Sequence, residues 1–288
     1  MNFSKPIIDI IRERTSRRAY NGYPLENHSR DTVIELLENP NLQSPFSNYA
    51  GKARFKLISV PEFTSNEKKK LGTYGFIKGA QDFIVGAVQK SQLSREHYGY
   101  LLETIILAAT DIGLGTCWLG GFFNRSLFAS KIERTPDEIV PAITPIGYSV
   151  RRTVKEKLIR SFAKADKRLP WDQLFFEGNL TVPITEKTAG EYSILLEMVQ
   201  IGPSAGNKQP WRIIKTVNKN FFHFYTINPK DGRFLKYSKF RSLDIGIAVC
   251  HFDLTAKELG IKGNWLFENP NIQGTEELLY KITWNGEN

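Results

Sequence analysis

The sequence predicts an α+β fold made of two related halves, each with helices around a mostly antiparallel sheet. Apolar residues at helical spacing indicate long helices between short apolar strands. Two blocks of residues also recur in the same order in the two halves of the chain. Hydrophobic residues make up 41% of the 288 residues and aromatic residues 12%, which is enough to fill one large domain or two ordinary ones.

One repeated block follows a predicted helix in each half. Residues 109–119 resemble residues 256–266, with alanine, glycine, tryptophan and leucine coinciding. We expect Gly113 and Gly260 to end the two helices as C′ glycines, with a short strand following each. The apolar stripes of these helices are Leu101, Leu102, Ile105, Ala108, Ala109 and Ile112 in the first half, and Ile245, Ala248, Val249, Phe252, Ala256 and Leu259 in the second.

The other repeated block runs from a polar turn into a strand. Residues 47–57 parallel residues 204–214, and apolar strands are expected over 55–60 and 211–217. Two matches in one order favour an internal duplication, with halves at 1–172 and 173–288. The stretch 151–169 that joins them is rich in Lys and Arg. It is interpreted either as a loose connector or as a source of cations that reach a ligand phosphate.

Charge and composition limit the partners. The formal net charge of +9 favours anionic partners without choosing among phosphates, nucleotides, acidic membranes and nucleic acid. No helix-turn-helix, zinc-finger or RNA-binding-sheet signature appears. No apolar run approaches the roughly 20 residues that span a bilayer, and the first residues lack a signal-peptide pattern. We therefore expect a cytoplasmic protein with neither nucleic acid nor membrane as a partner.

The cysteines and histidines give little sign of chemistry. Cys117 and Cys250 are too far apart in sequence for a disulfide framework or a zinc site, so both are interpreted as buried small hydrophobic residues. None of the four histidines lies in the motifs described below. His251 falls on the second apolar stripe and is expected to be a satisfied core residue. No metal site is predicted.

Three local groups of residues are candidates for ligand binding. The first is Arg14-Thr15-Ser16-Arg17-Arg18, since guanidinium forks match phosphate oxygens and hydroxyls fill the remaining positions. In an extended segment Arg14, Ser16 and Arg18 share one face. A solvated basic run is the alternative.

The second and third groups are turns. Residues 202–211 read G-P-S-A-G-N-K-Q-P-W, and the amides of Asn207 and Gln209 suit the edge of a flat heterocycle. Residues 115–122 read G-T-C-W-L-G-G-F, where Gly120 and Gly121 let the backbone approach a planar ligand. Ordinary structural turns are the alternative for both.

Taken together, R-x-S-x-R, P-S-x-x-N-x-Q-P-W and G-L-G-T-x-W-x-G-G-F resemble the FMN-dependent nitroreductase family over nearly the whole chain. Members are typically homodimers with FMN at each subunit interface. Here the first half carries the arginine motif and glycine loop but has Phe46 and Ala50 where the turn needs proline and asparagine. The second half has Pro203 and Asn207 but no R-x-S-x-R. The chain thus resembles the fused branch labelled TM nitroreductases, an intrachain pseudo-dimer with one complete FMN site, for which a monomer suffices.

The resemblance implies a role for each matching residue. Arg14 and Ser16 hold the phosphate and ribityl end, Thr15 is a further cofactor-binding residue, and Arg18 lies near the pyrimidine edge of the ring. Arg168, with Lys167 possible beside it, resembles a further phosphate ligand. The residues expected against the ring are Leu119, Gly120 and Gly121 on one side and Pro203, Ser204, Ala205 and Asn207 on the other, with Gln209 less certain.

The implied function is that of an FMN-dependent oxidoreductase. A ping-pong reaction passes hydride from NAD(P)H through flavin N5 to a nitroaromatic, quinone or similar small acceptor. No side-chain acid or base is required, so no catalytic side chain is predicted. The alternative functions are a flavin-binding protein without redox turnover and, from the charge alone, a nucleic-acid-binding protein.

Overall fold

A computed structural model describes residues 3–73, 76–228 and 235–287, with the backbone alone for 235–239. The chain divides into two compact units, Met1–Ala163 and Lys164–Asn288. The boundary between them lies inside the predicted connector 151–169, upstream of the predicted boundary at residue 172. Each unit consists of helices around a sheet, so the predicted α+β class is confirmed.

The first unit is built on an antiparallel sheet. Its strands run in the order β1-β2-β5-β3, and β4 pairs with β2. The strands are β1 (Ala53–Ser59), β2 (Asp82–Gln89), β3 (Gly115–Thr116), β4 (Glu138–Ile139) and β5 (Ile143–Gly147). The helices are α1 (Ile7–Glu13), α2 (Asn27–Glu38), α3 (Ser65–Lys68), α4 (Ser94–Asp111), α5 (Arg125–Lys131) and α6 (Val154–Phe162).

The second unit has a sheet with the strand order β6-β7-β8-β10-β9. The β6–β7 pair is parallel and the other pairs are antiparallel. The strands are β6 (Phe175–Glu177), β7 (Trp211–Lys215), β8 (Phe221–Ile227), β9 (Gly263–Leu266) and β10 (Leu278–Gly286). The helices are α7 (Glu186–Ala189), α8 (Ser193–Ile201) and α9 (Leu235–Glu258).

The predicted helix ends are confirmed in both units. Gly113 and Gly260 have φ angles of 79° and 68°, the left-handed region that glycine adopts without strain. The amide of Leu114 donates to Ala109 O at 2.8 Å, and the amide of Ile261 donates to Ala256 O at 2.9 Å. These hydrogen bonds join matching positions of the sequence repeat, so the similarity of the halves extends to how α4 and α9 end.

A tryptophan after each of these helices hydrogen-bonds to a buried acid within its own unit. Trp118 Nε1 donates to Glu103 Oε2 at 2.6 Å, and Trp265 Nε1 donates to Asp253 Oδ1 at 2.8 Å. Glu103 and Asp253 are almost fully buried on α4 and α9. Each indole thus contributes one hydrogen bond to a carboxylate that is buried in the core.

Some predicted positions differ from the structure. Ile112 and Leu259 lie beyond the last helical residue and are about two-fifths exposed, because the chain turns at the following glycine. The strand expected over 211–217 ends at Lys215, and Val217 is exposed. The strand expected over 55–60 begins earlier and ends at Ser59, where residue 60 starts a 3-10 turn.

The buried residues expected from composition are confirmed. Cys117 and Cys250 are buried free thiols. His251 is fully buried, and its Nδ1 lies 2.8 Å from Met198 O.

Within the described ranges, no helix is long and apolar enough to cross a membrane.

A substitution at Gly86 tests the packing of the first unit. A Cβ there would lie 2.5 Å from the Phe55 ring and 2.6 Å from Tyr98 Cε2, so Gly86→Ala is expected to lower the free energy of unfolding by about 1–3 kcal/mol. Urea denaturation measures this change. The double variant Phe55→Leu with Gly86→Ala should lose less than the sum of the single variants. A Gly86→Ala protein as stable as the parent would contradict the described packing.

Candidate functional site

The arginine motif lies beside the strand that leads into the glycine loop. After α1 the chain is extended, Ser16 forms a parallel bridge with Thr116, and the Arg17 amide donates to Thr116 O at 2.7 Å. Burial raises the pKa of the Cys117 thiol. The nearby side chains of Arg18, Ser16 and Arg14 lower this pKa and partly offset the effect of burial. All three side chains therefore act on Cys117, as expected if alternate residues of this extended segment share one face.

Arg14 is a buried residue. Its side chain is 8% exposed, and its Nε lies 3.7 Å from Oε1 of Glu103. Burial lowers the pKa of Arg14, and the Glu103 carboxylate partly offsets that effect. Because Glu103 also accepts the Trp118 indole, one carboxylate inside α4 links the arginine motif to the residue before Leu119.

The other side of the motif contacts the connector. Thr15 Oγ1 accepts hydrogen bonds from Arg152 Nη2 at 3.0 Å and from Arg160 Nη1 at 3.1 Å. The Arg17 guanidinium donates to the carbonyl of Val150. Arg152 and Arg160 were not named as site residues from the sequence. The indication in the sequence is the excess of Lys and Arg over 151–169. The contacts with Thr15 agree with the interpretation of this stretch as a source of cations for a ligand site.

A second buried carboxylate, that of Glu156, lies beside Arg18 and Arg152. Glu156 Oε1 accepts from the Arg18 amide at 3.3 Å and lies 3.7 Å from Arg152 Nε. Its other oxygen, Oε2, is buried, as is Nη1 of Arg18, and neither atom hydrogen-bonds to the described part of the chain. We call the following residues the arginine cluster: Arg14, Arg17, Arg18, Arg152 and Arg160, with Glu103 and Glu156. Guanidiniums outnumber carboxylates here, so the cluster suits an anion.

The glycine loop is fixed at its start and exposed at its tip. Leu119 exchanges two backbone hydrogen bonds with Ile143, and Arg125 Nη2 donates to Gly120 O at 2.6 Å. Gly121 is exposed, and Phe122 is 56% exposed. The Phe122 ring stacks on Phe76 with 4.0 Å between centroids and 22° between planes. The loop thus presents accessible backbone beside a flat aromatic pair.

In the second unit, the P-S-A-G-N segment is a tight turn after α8. Ser204 Oγ accepts from the Gln209 amide at 2.9 Å. Gly206, Asn207 and Gln209 have φ angles of 59°, 55° and 46°. Left-handed conformations at two residues other than glycine are uncommon, and such backbone strain is concentrated at functional sites.

Arg168 and Asn207 lie together in the second unit, where they hold the backbone. Asn207 Nδ2 donates to the carbonyls of Lys164 and Lys167 at 2.7 and 2.8 Å, and its Oδ1 lies 3.3 Å from Arg168 Nη1. Arg168 also donates to Ile201 O at 2.9 Å. The amide of Asn207 is thus engaged with residues 164–168, a contact that the sequence did not indicate.

Asp244 supports the same turn from α9. Its Oδ1 accepts from the Ala205 amide at 3.0 Å, and the residue is buried. Burial raises the pKa of Asp244 to about 8, while the Ala205 amide and Arg241 act in the opposite direction. Asp244 and Glu103 are not among the residues expected from the sequence. The available signal is an acid among the apolar residues of a long helix.

The predicted site residues therefore form two local groups. Arg14, Thr15, Ser16 and Arg18 lie with the strand before Leu119, Gly120 and Gly121 in the first unit. The members of the second unit are Arg168, Pro203, Ser204, Ala205 and Asn207. The first group has the properties of an anion site, and the second is a strained turn held by a buried acid.

Comparison with solved structures identifies the fold. The chain is similar to a Thermotoga maritima protein described as a putative nitroreductase, with 21% identity and a TM-score of 0.59 over 99% of this chain and 95% of that one. A nitroreductase family protein and an FMN-dependent nitroreductase, both from Clostridium difficile, show less similarity. The first has 18% identity and a TM-score of 0.43 over 60% of this chain and 96% of its own. The second has 20% identity and a TM-score of 0.40 over 51% of this chain and 89% of its own. The chain has the nitroreductase fold.

The family assignment rests on the sequence match. Residues 6–256 match the model of the family described as "Putative TM nitroreductase". The chain belongs to this family of nitroreductase-like oxidoreductases, which confirms the resemblance noted from the motifs. No curated protein matches the sequence.

The raised pKa of Asp244 predicts a dependence of stability on pH. Between pH 4 and 8, roughly, the unfolded chain releases this proton while the folded chain keeps it, so the free energy of unfolding should fall as pH rises. Asp244→Asn keeps an oxygen acceptor for the Ala205 amide and should flatten this part of the profile. Denaturation across pH measures it.

The exposed acid Asp9 provides the matched control for this experiment. Asp9→Asn should leave the slope of stability against pH unchanged. An Asp244→Asn profile parallel to that of the parent over the whole range would contradict the assignment.

Proposed function

We propose that the protein is an FMN-dependent oxidoreductase that takes hydride from NAD(P)H and reduces a nitroaromatic, quinone or similar small acceptor. Family membership supports the reaction class. The observation that carries the cofactor assignment is the arginine cluster, in which Nη1 of Arg18 is buried without a hydrogen-bond partner in the described residues. A buried donor of this kind is costly unless a ligand satisfies it.

The residues of the first unit fit the anionic end of FMN. Thr15 Oγ1 holds two guanidiniums, from Arg152 and Arg160, at one point. The Arg14 guanidinium and the Ser16 hydroxyl lie close to the neighbouring Cys117. Planar guanidiniums and a hydroxyl are the groups that bind a phosphate through several charge-assisted hydrogen bonds. Arg152 and Arg160 therefore join the proposed phosphate ligands.

The proposed ring site draws on the two turns. Leu119, Gly120 and Gly121 would contact one side of the ring, where exposed glycine backbone permits close approach. Pro203, Ser204 and Ala205 would contact the other side. We place Asn207 and Arg168 as residues that hold this turn, because their polar groups already bind backbone carbonyls. Sharing one FMN between residues of both units, with a monomer as the working form, is part of the proposal.

FMN, when bound, supplies the hydride chemistry itself. The protein's residues bind and orient it. Arg18 would place a cation near the pyrimidine edge of the ring, where negative charge develops on reduction, and would favour the reduced form electrostatically. Glu156 holds the Arg18 backbone through its amide, so the position of this cation depends on a buried carboxylate.

Flavin content and turnover test the proposal directly. Purified protein, saturated with FMN and desalted, should retain one FMN per chain and should bleach on addition of NADH or NADPH under anaerobic conditions. A quinone or nitroaromatic should then restore the oxidised spectrum. Bound flavin that neither nicotinamide bleaches would instead indicate a flavin-binding protein without turnover, and a chain that cannot be loaded would exclude the cofactor.

Arg18→Gln tests the cation proposed for the pyrimidine edge of the ring. Loss of a charge-assisted hydrogen bond is expected to weaken FMN binding about 10- to 100-fold, measured by fluorescence titration. Lys52→Gln, at an exposed position outside the cluster, is the matched control and should bind as the parent does. Arg14→Ala is a poorer choice because it leaves Glu103 buried without its cation and is expected to destabilise the fold. Arg18→Gln that stays folded and binds FMN with parent affinity would contradict the proposed site.

A further inference from the structure

Helix α6 turns Glu156 and Arg160 inward and an apolar stripe outward. Glu156 is buried beside Arg18, and Arg160 donates to Thr15. On the opposite side, Val154, Leu158 and Phe162 are 75%, 53% and 85% exposed. A spacing of four residues places these three side chains along one stripe of the helix. A surface helix normally shows the reverse arrangement, with its apolar stripe against the core.

The inverted orientation is fixed by specific contacts. Thr153 caps the helix, its hydroxyl accepting the Glu156 amide at 3.1 Å. Arg160 is held at Thr15 by a hydrogen bond of 3.1 Å. Rotating the apolar stripe toward the core would break this bond and expose the Glu156 contacts. The arginine cluster therefore forces Val154, Leu158 and Phe162 into solvent.

Cations flank the apolar stripe. Lys155 and Lys157 are exposed on α6, and Arg151 is exposed just before it. The acid of this helix, Glu156, faces inward. The outer surface of α6 thus combines an apolar stripe with positive charge, in a chain whose net charge is +9. We call this surface the α6 stripe.

We propose that the α6 stripe binds an anionic lipid surface. Helices that lie in a membrane interface insert an apolar stripe between lipids and place Lys and Arg at the headgroups, which is the arrangement seen here. A second copy of this chain is disfavoured, since a two-fold interface packs the same surface against itself and would bring the cations Lys155, Lys157 and Arg151 of one copy close to those of the other. A stripe of three apolar side chains is also much smaller than a stable protein interface, which has about 20–30 residues on each side.

This proposal departs from the expectation, drawn from the sequence, of no membrane partner. That expectation rested on the absence of a long apolar run, which concerns spanning a bilayer and not lying on it. The proposal is independent of the proposed function, because it depends on α6 and not on flavin chemistry.

Vesicle co-sedimentation tests the proposal with the full chain. The protein should sediment with vesicles of phosphatidylglycerol and phosphatidylcholine at least tenfold more tightly than with phosphatidylcholine alone, and added salt should weaken the binding. Leu158→Ser with Phe162→Ser should reduce binding at least tenfold. Val217→Ser with Leu279→Ser, at exposed apolar positions of the second unit, is the matched control and should not.

Charge variants separate the α6 stripe from the overall basic charge. Lys155→Glu with Lys157→Glu should reduce binding at least tenfold, whereas Lys52→Glu with Lys56→Glu changes the net charge equally at exposed positions elsewhere and should have a much smaller effect. Thermal unfolding should confirm that each variant is folded.

Three results would overturn the proposal. These are failure of the parent to sediment with anionic vesicles, equal losses from the two pairs of charge variants, and a self-associated parent that Leu158→Ser with Phe162→Ser converts to monomer. The last result would assign the stripe to a second copy of the chain.

Discussion

The contact between buried carboxylates and the arginine motif is the constraint on which the rest of the first unit depends. Glu103 and Glu156 are almost fully buried, and each lies against a different part of the motif. Buried charges persist only when they are paired and hydrogen-bonded. The two carboxylates therefore offset part of the positive charge of the guanidiniums around the motif, two of which hydrogen-bond to Thr15. Glu156 lies on α6 and helps to fix the orientation of that helix, so the proposed anion site and the apolar stripe on the surface have one physical cause.

The two units share the way in which their long helices end but differ in the polar groups at matching positions. Counted back from Gly113 and Gly260, His97 and Asp244 stand at the same position of α4 and α9. His97 Nδ1 lies 2.7 Å from the Ser44 hydroxyl in the turn region of its unit, and Asp244 holds the Ala205 amide in the other. Burial lowers the pKa of His97 to about 4 and raises that of Asp244 to about 8. Near pH 7 the predominant form of each is therefore uncharged, although one is a base and the other an acid.

Much of this organisation could be predicted from local residues. The apolar stripes and cap glycines of α4 and α9 depend on spacing and on the left-handed conformation of glycine, both of which short stretches of sequence reveal. The buried cysteines and His251 followed from their apolar surroundings. The motifs identified the family because their order and residue types are specific. Details of strand ends were less accurate: Val217 continues the apolar pattern, yet it lies past the last paired residue.

The sequence by itself determined the α+β class, the two related halves, the motif residues and the family, since these depend on periodicity and on short patterns. Only the tertiary structure showed which distant residues complete each group. Arg152 and Arg160 reach Thr15 across a large separation in sequence, Asp244 supports a turn from another helix, and the apolar face of α6 points outward. These contacts depend on which charged and polar side chains are buried next to each other in the fold. A local sequence pattern does not show which distant residues those are.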